Sequence, residues 1–134
     1  MLKNKEGKFL LVRRNPIKYP EVGAQWDLIG GRINPGSPLL DNLRREIKEE
    51  VGLDYIDTPK LVAAQDILKS ADNHVVRLTY VGELDGEPVI NNNYNDDSEQ
   101  LEAKWFTSDE IKKLSLTELD SYFKALVDDK IISF

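Results

Sequence analysis

Three glutamates carry the first suggestion of chemistry in this chain. Glu46, Glu49 and Glu50 lie three and four residues apart within Arg44-Arg45-Glu46-Ile47-Lys48-Glu49-Glu50-Val51-Gly52-Leu53, so on a helix they share one face. Like charges gathered on that face weaken an isolated helix by a few tenths of a kcal/mol per pair. A divalent cation among them removes the cost. Hard carboxylate oxygens suit Mg²⁺ or Mn²⁺, which bind through few carboxylates, waters and substrate phosphates. Glutamate-rich helix faces are also common as plain solvated surfaces, so the acids gain meaning only from what surrounds them. Just upstream, Trp26–Ile29 reads as a short strand that stops at Gly30-Gly31. Two glycines let the backbone approach a ligand closely, or simply make a turn.

The helix that must position these acids is the clearest element. Ser37 reads as its N-cap, Pro38 as the first helical residue and Asp41 as a favourable first-turn charge. Leu40, Leu43, Ile47 and Val51 recur at helical spacing on one face, and Gly52 reads as a left-handed stop. Before the loop, Lys8–Arg14 is a buried strand around Phe9-Leu10-Leu11-Val12, entered from a hairpin turn at Asn4-Lys5-Glu6-Gly7. Only Met1 and Leu2 are left for the strand ahead of that turn. An unpaired edge there would invite a second copy of the chain, a homodimer. Asn15–Gly23, with two prolines and a glycine, is a loop.

After the helix, strands return at Lys60–Gln65, His74–Glu83 and Lys104–Phe106, with an Asp85-Gly86 turn signal and a polar loop at Asn91–Glu99. Thr107-Ser108-Asp109-Glu110 opens a short helix, and Thr117 reads as the cap of a last helix through Val127. Leu119, Tyr122, Phe123 and Leu126 form that helix's apolar side. Strands, a helix, more strands and then helices predict an α+β domain, layered α/β/α with a mixed sheet between helices.

A chain of 134 residues fits one domain over 1–134. Hydrophobic residues at 40% and charged residues at 31% give the composition of an ordinary globular protein. The lack of cysteine excludes disulfides, thiolate zinc sites and a cysteine nucleophile, and fits a cytoplasmic location. No apolar run reaches membrane-span length. The net charge of -6 argues against binding a nucleic-acid polymer. It leaves open an enzyme whose metal ions stand between its carboxylates and a phosphate substrate.

From Gly31 to Leu53 the chain resembles the Nudix box. Gly31, Arg45, Glu46, Ile47, Glu49, Glu50, Gly52 and Leu53 match it in type and spacing. So many fixed positions make a specific signal. The resemblance extends more loosely to Gly7–Arg14, to Trp26–Gly31 and to Glu102–Phe106 with Asp109-Glu110. It departs from the family at Ser37, where the box has its first glutamate, and at Ile29, where proline is usual.

The resemblance implies hydrolysis of the diphosphate link in a nucleoside diphosphate joined to a further group X. In this reading Glu46, Glu49 and Glu50 hold Mg²⁺ or Mn²⁺, and Arg45 orients a box glutamate. With Ser37 unable to pair with Arg45, reduced support for that arginine is expected. A box glutamate or a later loop acid serves as general base. Glu99 is the leading loop candidate, with Asp96 and Asp97 behind it, although on sequence alone each reads more readily as a solvated loop acid. Glu102 reads as structural. Arg14 would touch a phosphate or be a solvated strand end. Gly31 would lie against the substrate. Trp26 reads first as core, with a stacking surface for the base as the alternative. His74 opens a strand and is not needed.

The proline expected of ADP-ribose hydrolases and the tyrosine expected of dinucleoside polyphosphate hydrolases are both missing from their usual distance. This tilts the small-molecule substrate towards a (deoxy)nucleoside triphosphate, giving monophosphate and pyrophosphate, over nucleotide sugars and dinucleotides. The competing class is a nucleotide-sensing domain without catalysis. Ser37 slightly favours it, and the intact glutamates disfavour it.

Overall fold

Successive side chains of a strand point to opposite faces. Phe9, Leu10, Leu11 and Val12 are all buried, so a layer must cover each face of their strand. The computed structural model describes residues 1–90, 100–132 and 134. Its strands are β1 (Leu2–Lys3), β2 (Phe9–Arg14), β3 (Trp26–Asp27), β4 (Lys60–Ile67), β5 (Val75–Glu83) and β6 (Gln100–Phe106). Its helices are α1 (Leu39–Val51), α2 (Ser108–Lys113) and α3 (Ser121–Asp128).

The strand order is β3-β2-β1-β5-β4, with β6 also on β2. Along one edge β2 pairs with β6. Along the other it pairs with β1 through Leu2↔Leu10 and with β3 through Val12↔Asp27. The sheet is mixed because β1 and β5 run parallel while the remaining pairs are antiparallel. Leu10 and Val12 pack with Ile47 and Val51 of α1. Phe9 and Leu11 pack with Ile111 of α2 and with Phe123, Leu126 and Val127 of α3. The result is the expected α+β class, with α1 on one face of the mixed sheet and α2 and α3 on the other. Burying each of these large side chains contributes roughly 1.5–3 kcal/mol. No helix among the described residues is long and apolar enough to cross a membrane.

The Asn4–Gly7 turn forms as expected. The Gly7 N–H donates to Asn4 O at 2.9 Å, and Gly7 takes a φ of 77° that suits glycine. The first strand is short, yet Leu2 and Lys3 pair on both sides, with β2 and with β5. The edge from which association with a second copy was expected is therefore already covered.

Two helix starts differ from expectation. α1 begins at Leu39, with Pro38 at the cap position and no side-chain cap. Ser37 is not the cap. Instead Asn42 reaches back from inside the helix and donates to Ser37 O at 3.1 Å and Pro38 O at 2.9 Å. α3 begins at Ser121, not Thr117. Its cap is Asp120, whose Oδ1 accepts the Phe123 N–H at 3.0 Å. The backbone just before it is taken by β3: the Trp26 N–H donates to Glu118 O at 2.7 Å and the Asp120 N–H to Trp26 O at 2.8 Å. α2 has the expected capping box between Thr107 and Glu110, and Gly52 ends α1 in the left-handed conformation.

A set of four charges, its two carboxylates buried and its two guanidiniums partly so, joins these layers. Asp27 of β3 pairs with Arg14 of β2 and, at 2.9 Å, with Arg77 of β5. Asp120 pairs with Arg77 at 2.7 Å and with Arg14 at 3.8 Å. Only 7% of the Asp27 side chain and 8% of the Asp120 side chain reach solvent. Burial alone would disfavour the charged Arg77 guanidinium. The charges of Asp27 and Asp120, with their hydrogen bonds, outweigh it and hold its pKa above the ordinary arginine value. Replacing one member of such a network costs more than an exposed pair is worth, because the partners stay buried and uncompensated. Arg77→Met is expected to lower unfolding stability by about 3–5 kcal/mol in urea denaturation. A loss below about 1 kcal/mol would show that the network is not a principal fastening.

Candidate active site

α1 turns Asn42, Glu46 and Glu50, one helical turn apart in sequence, into buried positions. The Gly30 N–H donates to Glu50 Oε2 at 3.1 Å, so the end of the β3 segment is bound directly to the helix. Gln100, the first residue of β6, donates from Nε2 to Glu50 Oε1 at 3.1 Å. Gly31 lies so close to Glu46 that a Cβ built there would clash with the carboxylate, lying 2.7 Å from Oε2 and nearer to Oε1. It is this approach to the Glu46 carboxylate, and not its φ, that favours glycine at 31.

Arg45 spans two of the acids. Its Nη2 lies 2.9 Å from Glu46 Oε1, and its Nη1 donates to Glu49 Oε2 at 3.1 Å. Nη2 also donates to Arg32 O at 3.1 Å and to Asn42 Oδ1 at 3.3 Å. Asn42 Oδ1 accepts the Asn34 N–H at 2.9 Å as well. The support expected to weaken with Ser37 is thus provided by the Arg32 carbonyl and Asn42. The sequence reading missed Asn42, since nothing marks a polar residue one turn before Glu46 as a brace.

The three glutamates are not equivalent. The Glu49 side chain is 58% exposed against 11% for Glu46, so Glu49 stands at the rim while Glu46 and Glu50 line the loop. Oxygen donors of this kind suit a hard divalent cation. The close fit between the backbone at Gly31 and the Glu46 carboxylate gives the donor set a defined floor. Among the described residues, no group of three or more acidic or histidine side chains is gathered closely enough to enclose an ion. Arg45 balances Glu46 and Glu49 in this arrangement.

The other expected residues separate from this group. Arg14, 26% exposed at its side chain, has its guanidinium held by Asp27 and Asp120. Trp26, partly buried, packs against the core, edge to face with Phe106 at 4.8 Å between ring centres. Glu102 lies 3.7 Å from Arg13. His74 contacts Asp66 at 2.6 Å on the exposed β4–β5 hairpin. Glu99, Asp96 and Asp97 lie outside the described residues. Asp27, Arg77 and Asp120 were not singled out from the sequence. An acid just before the Leu28–Gly31 loop was the only available hint.

The same strand, glycine pair and acidic helix are the core of a known family. The NUDIX domain matches residues 1–127, and the chain belongs to that family, the one to which the box residues pointed. The chain is similar to the mouse protein named oxidized purine nucleoside triphosphate hydrolase, at 28% identity over 85% of this chain and 70% of that one. It is also similar to human 8-oxo-dGDP phosphatase, at 29% identity over 64% of this chain, and the match spans a quarter of the human protein's length. The fold matches the crystal structure of MutT protein from Methanosarcina mazei Go1 with a TM-score of 0.75 and 23% identity, covering 96% of this chain and 86% of that one.

Because the Gly31 clash falls on the far end of a flexible side chain, Gly31→Ala is expected to fold normally but to displace the Glu46 carboxylate. Misplacing a reacting group by about 1 Å can cost on the order of 100-fold. A fall in kcat of that order is expected, with the melting temperature moved by less than about 3 °C for the small free-energy change involved. Unchanged kcat would show that Glu46 tolerates the shift.

Proposed function

We propose that this chain is a divalent-metal-dependent hydrolase of the diphosphate link in a nucleoside diphosphate-X substrate, with Glu46, Glu49 and Glu50 holding Mg²⁺ or Mn²⁺. The observation that carries this reading is the joining of Gly30 to Glu50, with Arg45 spanning Glu46 and Glu49. When bound, the cation supplies charge neutralisation on phosphoryl oxygens and a more acidic water. The chain's own part is positional. The Gly30 N–H and the Gln100 amide fix the Glu50 carboxylate, and Arg45 orients Glu46 and Glu49 through charge-assisted hydrogen bonds. Glu99, which directly precedes β6 in the sequence, is the proposed general base. Arg14 would contact a substrate phosphate from a guanidinium that Asp27 and Asp120 also hold.

Water attacks one phosphorus, the P–O–P bond breaks, and each fragment leaves as a phosphate. A (deoxy)nucleoside triphosphate thus gives monophosphate and pyrophosphate. The name of the mouse relative supports the triphosphate, while the human relative's name gives reason to include diphosphates. The absence of cysteine fits action in the cytoplasm.

Phosphate and pyrophosphate release from nucleoside tri- and diphosphates, nucleotide sugars and dinucleoside polyphosphates tests the reading. Turnover of one class with Mg²⁺, abolished by EDTA, is expected. In that assay Glu49→Gln should reduce kcat by about 100-fold or more. Its melting temperature should stay near wild type, because the side chain is exposed and its ion pair contributes about 0–1 kcal/mol at most. Tight nucleotide binding with no turnover of any class would favour the sensing domain.

A further inference from the structure

A carboxylate accepts hydrogen bonds and cannot donate them. Gln100 must therefore turn its amide nitrogen, not its oxygen, towards Glu50, and the 3.1 Å contact from Nε2 to Oε1 meets that requirement. The Gln100 Oε1 then points away from Glu50. It is buried and, among the described residues, has no hydrogen-bond partner. A buried acceptor left without a partner costs about 1–3 kcal/mol, and an apolar side chain of similar shape would avoid the cost. The unpaired oxygen offsets much of what the Nε2–H contributes to the buried Glu50 carboxylate, so Gln100 adds little net stability. Its backbone is already secured by pairing with Arg14 at the bulged end of β2, so the side chain is not needed to hold β6.

We propose that Gln100 is a positioning residue for the reaction. Its Nε2–H sets the rotation of the Glu50 carboxylate, so that Glu50 meets the cation in one orientation, with the Gly30 N–H fixing the other oxygen. This inference rests on the metal-holding role proposed for Glu50. Residues that orient a metal ligand through a hydrogen bond typically change metal affinity or activity by about 10- to 100-fold when removed.

Gln100→Met keeps the length of the side chain and removes both polar atoms. Relative to the wild-type chain it should weaken Mg²⁺ binding, measured by calorimetry without nucleotide, by about 10-fold or more. It should lower kcat by a similar factor, leave KM within about threefold, and leave the melting temperature within a few degrees, because the lost hydrogen bond and the removed unpaired oxygen offset each other. The second measurement is a double-mutant cycle with Glu50→Gln. If Gln100 acts through Glu50, adding Gln100→Met to Glu50→Gln produces little further loss. The inference is overturned if Gln100→Met binds Mg²⁺ as wild type does, whatever its melting temperature, or if the two substitutions multiply. A wild-type chain that binds Mg²⁺ but turns over no nucleotide removes the hydrolase reading. The calorimetric comparison then still decides whether Gln100 sets Glu50.

Discussion

The buried pairing of Asp27 and Asp120 with Arg14 and Arg77 is the constraint on which the rest of the structure depends. β3 is two residues long, too short to hold its place by a ladder alone. Asp27 fastens it from three directions. Its Oδ1 accepts from Arg77 at 2.9 Å and from the Leu28 N–H at 2.7 Å, and its Oδ2 accepts from Arg14. Three residues later the Gly30 N–H meets Glu50. The position of the loop against the acidic helix is therefore set by charges on β2, β5 and the start of α3. Every Asp27 oxygen is engaged, and this makes burial of a carboxylate tolerable where dielectric screening is weak.

Within the site, repulsion among the glutamates is managed unevenly. Arg45 reaches Glu46 and Glu49 with separate nitrogens, while Glu50 takes its hydrogen bonds from Gly30 and Gln100. The planar guanidinium suits this spanning role, because its donors lie in a fixed fork that a lysine would not reproduce. Arg45 is in turn anchored by the Arg32 carbonyl and Asn42, and Asn42 ties the loop at Asn34 to the start of α1. A serine at 37 is compatible with this arrangement, since the bracing comes from within the helix.

Much of the fold was legible because it is written in local patterns. The apolar run at Phe9–Val12, the three-and-four spacing of α1, the Asn4–Gly7 turn and the Gly52 stop each depend on neighbouring residues, and each formed as read. The misplaced features were those that local pattern does not decide. Ser37 lost the cap to a tie made by Asn42, and Thr117 lost it to Asp120 because β3 takes the backbone of Glu118 and Asp120. Arg14 looked like a strand end with a free charge until Asp27 and Asp120 closed around it.

The sequence by itself determined the layered α+β class, the family and the helix on which Glu46, Glu49 and Glu50 are presented. Periodicity and box spacing are properties of contiguous chain. Only the tertiary structure decided which of those acids are buried, what orients them and which charges brace the strand before them. Gln100 is 50 residues from Glu50, Arg77 is 50 from Asp27 and 43 from Asp120. Contacts at such separations leave no period in the sequence. They exist because burial in a shared core forces each charged group to find an opposite partner from another element.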